Sequence, residues 1–168
     1  GRRRRQNLIA RYGCLTSLAL FMLVCLMCSS LLGVVYFARA PGLFLLANVL
    51  ALLTAVPYGL LLLWLDRNEQ EPIYLLLTAV MWGAAVSTVV SMFFNDSFAA
   101  TAQAFTGNPM VAEFLTASIS APFIEELSKG VAVAFIFLLF RNEFDNVLDG
   151  VLYGALVGLG FATVENVL

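Results

Sequence analysis

Hydrophobic and polar positions divide the chain into five apolar blocks, each about 20 residues or longer, the length a helix needs to cross a bilayer. They fall at residues 15–37, 43–65, 73–94 and 114–140, with the last running from 147 to the final residue. Ala38-Arg39-Ala40-Pro41-Gly42 closes the first block, and the polar turn Asp66-Arg67-Asn68-Glu69-Gln70-Glu71-Pro72 closes the second. Pro57 predicts a kink inside the second block. The pattern predicts an all-α fold: a polytopic membrane helix bundle with five transmembrane helices, organised as a single membrane domain over residues 1–168. The last apolar run reaches Leu168 without a polar flank, so further chain and further helices are expected beyond it.

Composition agrees, since 61% of the residues are hydrophobic and 12% charged, about half the charged share of a water-soluble domain. Ala38-Arg39-Ala40 imitates a signal-peptidase site. The first block nevertheless exceeds the roughly 7–15 apolar residues of a signal-peptide core, and Pro41 follows the would-be cut, so a retained helix is expected. Residues 1–13 form a basic flank carrying Arg2, Arg3, Arg4, Arg5 and Arg11. With the N-terminus cytoplasmic, that side also holds Arg67 and Arg141, and the other side holds only Arg39; the positive-inside rule therefore puts the N-terminus in. Because a spanning helix begins directly after the arginines, their partner is the lipid surface and no nucleic acid is expected.

Residues 95–113 are expected to form an extracytoplasmic loop. Asn95, Asp96 and Ser97 supply cap chemistry there, Gly107 and Pro109 a stop, and Phe98, Ala102 and Phe105 share one face, so a short amphipathic helix on the surface and an irregular loop are both compatible. Cys14, Cys25 and Cys28 all lie in or beside the first block, with no second pair to complete a zinc site or a disulfide framework. They read as small apolar residues. The chain contains no histidine, which removes the commonest metal ligand and general base from these residues.

The fourth block carries Glu125-Glu126-Leu127-Ser128-Lys129 near the middle of a span. An ionised group at that depth costs roughly 2.5–3.5 kcal/mol on insertion scales, so these side chains must face a bundle interior or a wet cavity. Glu125 and Lys129 are four residues apart and are expected to pair, leaving Glu126, about 100° round the helix, free to handle a proton or a water. Ser118, Ser120 and Ser128 are expected to bond carbonyls of their own helix. In the fifth block Gly150, Gly154, Gly158 and Ala162 recur every four residues, a smooth face for close helix packing. Glu165 falls on nearly the same face, which brings it towards the fourth helix. Asp149 and Tyr153, near the start of that block, read as interfacial.

Taken in order, Glu125-Glu126-x-x-Lys129, Asp149-Gly150-x-x-Tyr153-Gly154 and Gly160-Phe161-Ala162-x-x-Glu165-Asn166 resemble the PrsW family of intramembrane proteases, itself distantly similar to the CAAX prenyl proteases. The turn from Asp66 to Pro72 is also similar to a sequence of that family, so the resemblance runs from Asp66 to the end. It implies that Glu125 and Glu126 are a catalytic pair, that Glu165 and Asn166 form the second catalytic motif, and that Lys129, Asp149 and Tyr153 support them. It implies a single-span membrane protein as substrate, such as an anti-sigma factor, in a bacterial plasma membrane. The family carries a third, histidine-bearing motif further on, which these 168 residues lack. The cofactor is open: Glu and His ligands would suit zinc, and a metal-free glutamate mechanism suits the same carboxylates. In either case a carboxylate withdrawn from bulk water suits proton transfer to and from an attacking water, and Asn166 suits donation to an oxyanion, a role worth about 2.7–4 kcal/mol per donor.

Two other classes use the same residues. An ion- or proton-coupled transporter would employ the buried glutamates as a relay. A non-catalytic subunit of a larger membrane assembly would use Glu125 and Lys129 as a structural ion pair.

Overall fold

The structure, a computed structural model, describes the backbone of residues 2–68, 71–141, 144 and 146–168, and the side chains at the same positions except 2–14 and 68. The side chains of Arg2, Arg3, Arg4, Arg5, Arg11 and Cys14, and the turn residues Glu69 and Gln70, lie outside that description. Among the described residues every regular element is helical. The helices are α1 (Arg2–Arg39), α2 (Pro41–Leu65), α3 (Ile73–Met81), α4 (Thr88–Thr106), α5 (Pro109–Leu115), α6 (Ala121–Leu139) and α7 (Val147–Glu165). A π-helical stretch, Trp82–Ser87, joins α3 to α4, and a second, Thr116–Ser120, joins α5 to α6. The fold is an all-α membrane helix bundle.

Four segments among the described residues are long and apolar enough to cross a membrane: Leu15–Arg39, Pro41–Leu65, Ile73–Thr106 and Val147–Glu165. The fifth expected span corresponds to α5, the second π stretch and α6. It is continuous and long enough, but Glu125, Glu126 and Lys129 crowd its apolar stretch. Charge, rather than length, sets this helix apart.

Residues 95–113 are mostly helical, the alternative to an irregular loop. The helix begun at Ile73 runs on through Thr106, 34 residues in all, which at 1.5 Å per residue is about 51 Å against a hydrocarbon core of about 30 Å. Asn95, Asp96 and Ser97 therefore lie inside a helix and do not cap one. The stop is at Gly107, whose φ of 65° is the left-handed conformation glycine tolerates, and whose N–H donates to the Gln103 carbonyl at 2.9 Å. Asn108 then caps α5 by accepting from the Met110 N–H at 3.0 Å, and Pro109 occupies the first helical position. A tight helical hairpin results.

α7 is the central helix, packed against α2, α3, α6 and the first π stretch. Leu75, Ala79, Val86, Ile136, Tyr153 and Val157 belong to one buried cluster around it. By contrast α1 and α2 are barely covered by the rest of the chain. Cys25 is buried and Cys28 exposed on α1.

The closest helix approach does not use the face formed by Gly150, Gly154, Gly158 and Ala162. A Cβ placed on Gly160 would lie 2.1 Å from the Val80 carbonyl oxygen, and one on Gly83 would lie 1.9 Å from that of Val157. Only glycine at both positions lets α7 meet the α3 side of the bundle backbone to backbone. On the expected face, Gly150 meets Phe144 and Gly154 meets Val133 at ordinary contact distances, Gly158 faces open space, and Ala162 is exposed.

Candidate active site

Two helices bring the intramembrane charges to neighbouring levels. Glu125 stands 14 residues from the Leu139 end of α6 and Glu165 stands 18 from the Val147 start of α7, about 21 and 27 Å along antiparallel helices whose ends adjoin. Glu125 is half-buried and lies within electrostatic reach of Glu165, Lys129 and Glu126.

The ion pair differs from the one the four-residue spacing suggested. Lys129 Nζ lies 3.0 Å from Glu126 Oε1, three residues back, and not on Glu125. Both spacings put side chains on adjoining helix faces, so what lies across from the helix decides. Lys129 sits 4.1 Å over the ring of Phe161, and this cation–π contact draws the ammonium towards α7. The Lys129 side chain keeps 19% of its surface exposed and that of Glu126 keeps 76%. Glu126 thus stands at the rim with its charge matched, beside an open groove of about 610 Å³ lined by Ser118, Ile119, Pro122, Phe123 and Leu127. Glu125, half-buried, is the less exposed of the two carboxylates. Glu165 and Asn166 are exposed at the end of α7, where Asn166 is the C-cap residue.

Asp149 and Tyr153 stand at the other end of α7, near its start, and both are buried in the bundle. Asp149 is 4% exposed; its Oδ2 accepts from the Asn146 N–H at 2.9 Å while Asn146 Oδ1 accepts from the N–H groups of Leu148 and Asp149, a reciprocal capping box. Tyr153 is wholly buried, stacks on Phe144 with ring centroids 5.3 Å apart, and donates its hydroxyl to Glu71 Oε2 at 2.5 Å. Glu71 in turn donates its backbone N–H to Asp66 Oδ1 at 3.0 Å. These acids anchor α7 to the turn before α3 and are remote from Glu125 and Glu165.

Closer in sequence to the glutamates, bonds that helical spacing did not suggest tie the helices together. Trp82 Nε1 donates to the Ser128 carbonyl at 3.2 Å, the Ser91 and Ser128 hydroxyls are 3.4 Å apart, and the Ser120 hydroxyl donates to Asn95 Oδ1 at 2.8 Å. Ser128 alone follows the expected local pattern, donating to the Glu125 carbonyl at 2.8 Å. A buried tryptophan signals a sought partner, but only the tertiary structure says which.

The profile of the family described as "PrsW family intramembrane metalloprotease" matches residues 71–168. The chain is 32% identical over 103 residues to Protease PrsW of Geobacillus kaustophilus (strain HTA426), a stretch that is 61% of this chain and 42% of that protein. It is 31% identical over 103 residues to Protease PrsW of Bacillus subtilis (strain 168), covering 61% of this chain and 44% of that one. With Protease PrsW of Oceanobacillus iheyensis (strain DSM 14371 / CIP 107618 / JCM 11309 / KCTC 3954 / HTE831) it shares 30% identity over 124 residues, 73% of this chain and 50% of the other. No solved structure matches. The chain spans about half the length or less of these relatives.

The family description names a metal, and the residues present do not make up a site for one. Among the described residues no group of three or more histidine, cysteine, aspartate or glutamate side chains is disposed to hold an ion, and the sequence supplies no histidine. The chemistry assigned below to this chain's residues therefore passes through no metal. With both glutamate motifs inside the matched region, the chain belongs to the PrsW family of intramembrane metalloproteases.

Proposed function

We propose that this chain forms part of an intramembrane protease that hydrolyses a membrane-anchored protein, with Glu125 and Glu165 at the reacting centre. The observation that carries the reading is that antiparallel α6 and α7 bring Glu125 and Glu165 to neighbouring levels, while Lys129 is paired with Glu126. Glu125 takes a proton from a water as its oxygen attacks the scissile carbonyl carbon, and returns that proton to the departing amine. Glu165 orients the water. Asn166 donates to the oxyanion. The Glu126–Lys129 pair keeps a second negative charge from accumulating beside Glu125. The substrate is a single-span protein such as an anti-sigma factor, the setting is a bacterial plasma membrane, and the N-terminus is cytoplasmic, which places Glu165 towards the extracytoplasmic side.

The full-length protein is tested by co-expression with the single-span membrane proteins of its own genome, each tagged at both ends. Cleavage of one of them, lost in Glu125→Gln and in Glu165→Gln while both variants still insert, is the expected result. Retained cleavage in both variants contradicts the site. Ion flux that disappears in Glu125→Gln, with every candidate uncut by the unmodified protein, assigns the glutamates to transport instead.

A further inference from the structure

Glu125 sits between two polar crosslinks that run from the α3–α4 side of the bundle to the α5–α6 side. Five residues before it, the Ser120 hydroxyl donates to Asn95 Oδ1 at 2.8 Å. Three residues after it, the Ser128 carbonyl accepts the Trp82 indole N–H at 3.2 Å. A hydroxyl has one hydrogen, and that of Ser128 goes to the Glu125 carbonyl at 2.8 Å, so Ser91 is the donor across the 3.4 Å separation between the two serines. Trp82, Ser91, Ser120 and Ser128 are all buried.

Both crosslinks involve a π-helical stretch. Trp82 opens the first and Ser120 closes the second, immediately before the turn that carries the glutamates. A π stretch adds a residue to the turn and so rotates everything that follows relative to an unbroken α-helix; such stretches are frequent at functional sites. Unconstrained, α6 could turn Glu125 away from Glu165. Because these groups are buried, a lateral hydrogen bond holds a helix at one rotation, since every alternative leaves a donor or acceptor bare.

We propose that Trp82, Ser91 and Asn95, acting through Ser128 and Ser120, are positioning residues that fix the rotation of α6 and so aim the Glu125 carboxylate at Glu165. They act through the α6 backbone. For its kinetic readout the inference rests on the proteolytic reading above; its chemical readout does not.

The kinetic test uses the full-length protein and whichever tagged single-span protein it cuts. Trp82→Phe keeps the ring and removes the donor, and Ser128→Ala removes the hydroxyl; each lowers kcat about tenfold with KM unchanged, the scale of one buried hydrogen bond expressed in the transition state. Ser128→Thr restores the hydroxyl and restores kcat. Undiminished kcat in Trp82→Phe overturns the proposal, as does an equal loss in Ser128→Thr and Ser128→Ala. The chemical test needs no substrate. Dicyclohexylcarbodiimide modifies membrane carboxyls, and the ratio of its adducts at Glu125 and Glu126, read by mass spectrometry, reports the rotation of α6. That ratio shifts about threefold or more in Trp82→Phe, since a turned helix exchanges the environments of its two carboxyls, and an unchanged ratio overturns the proposal. If the unmodified protein cuts nothing, the proteolytic reading fails by itself and the adduct ratio still decides this one.

Discussion

At its N-terminal end α7 places Asp149 and Tyr153 against Asp66 and Glu71; towards its C-terminal end it sets Phe161 against Lys129 and carries Glu165 to the level of Glu125. Carboxylates occur at both ends, but their surroundings differ. At the first end the acids do structural work. Asp149 and Asn146 cap the helix, Glu71 takes the Tyr153 hydroxyl, and Asp66 takes the Glu71 N–H, with Tyr153 wholly buried. At the second end only Glu126 is held by a cation, Glu125 is half-buried, and Glu165 and Asn166 are exposed. An acid already engaged by fixed donors holds a structure in place; one without such donors, near a second acid, has capacity for a proton or a water. The comparison puts hydrogen-bonded anchorage at one end of α7, and it is at the other end that the proposed chemistry is assigned.

The largest expected effect removes both ends together. Gly160→Leu forces a side chain into the Val80 carbonyl, where even a Cβ would lie 2.1 Å away, and no rotamer relieves a clash with backbone. Folded protein is expected to disappear on size-exclusion in detergent, whereas Gly158→Ala, facing open space, stays within about 0.5 kcal/mol of the unmodified protein. Folded, monodisperse Gly160→Leu would show that the α3–α7 contact is not what sets the bundle.

Next in size, Glu165→Gln abolishes cleavage and leaves the unfolding midpoint in place, because its carboxylate is exposed. A midpoint that falls with activity would make it a structural acid like those at the other end. Tyr153→Phe is the converse. It deletes a hydrogen bond to a carboxylate at 2.5 Å and is expected to cost about 1.5–3 kcal/mol of stability; cleavage by the surviving folded fraction is retained. If its specific activity drops while stability holds, the division between the two ends fails. The smallest effect is at Ser87, a buried hydroxyl with no hydrogen-bond partner among the described residues. Ser87→Ala raises stability by up to about 1 kcal/mol in reversible unfolding, and a loss of stability would mean the hydroxyl has a partner after all.

Apolar blocks and their flanking prolines made most helix positions legible in the sequence: α2 starts at Pro41, α3 directly after Pro72, and α7 close to the expected residue 147. The length of α4 was not legible, since Asn95-Asp96-Ser97 offers the same side chains to a cap as to a helix that has left the lipid, and only the left-handed Gly107 distinguishes the two. Helical spacing brought Glu125, Glu126 and Glu165 to one pair of helices but chose Glu125 as the partner of Lys129, because i+3 and i+4 are equally near and Phe161 on α7 breaks the tie. The Gly83–Gly160 contact had no periodic signal, as it joins one glycine from each of two segments. The bonds of Trp82, Ser91 and Asn95 were likewise not legible, their partners lying 46, 37 and 25 residues away, and Asn95 read as a cap.

A short bis-maleimide crosslinker applied to the full-length protein carrying Glu125→Cys and Glu165→Cys, with Cys14, Cys25 and Cys28 replaced by alanine, measures directly whether these two positions adjoin in the membrane. An intramolecular bridge between positions 125 and 165, absent when Glu126→Cys replaces Glu125→Cys, is the predicted result. Bridging from position 126 alone, or from neither, contradicts it.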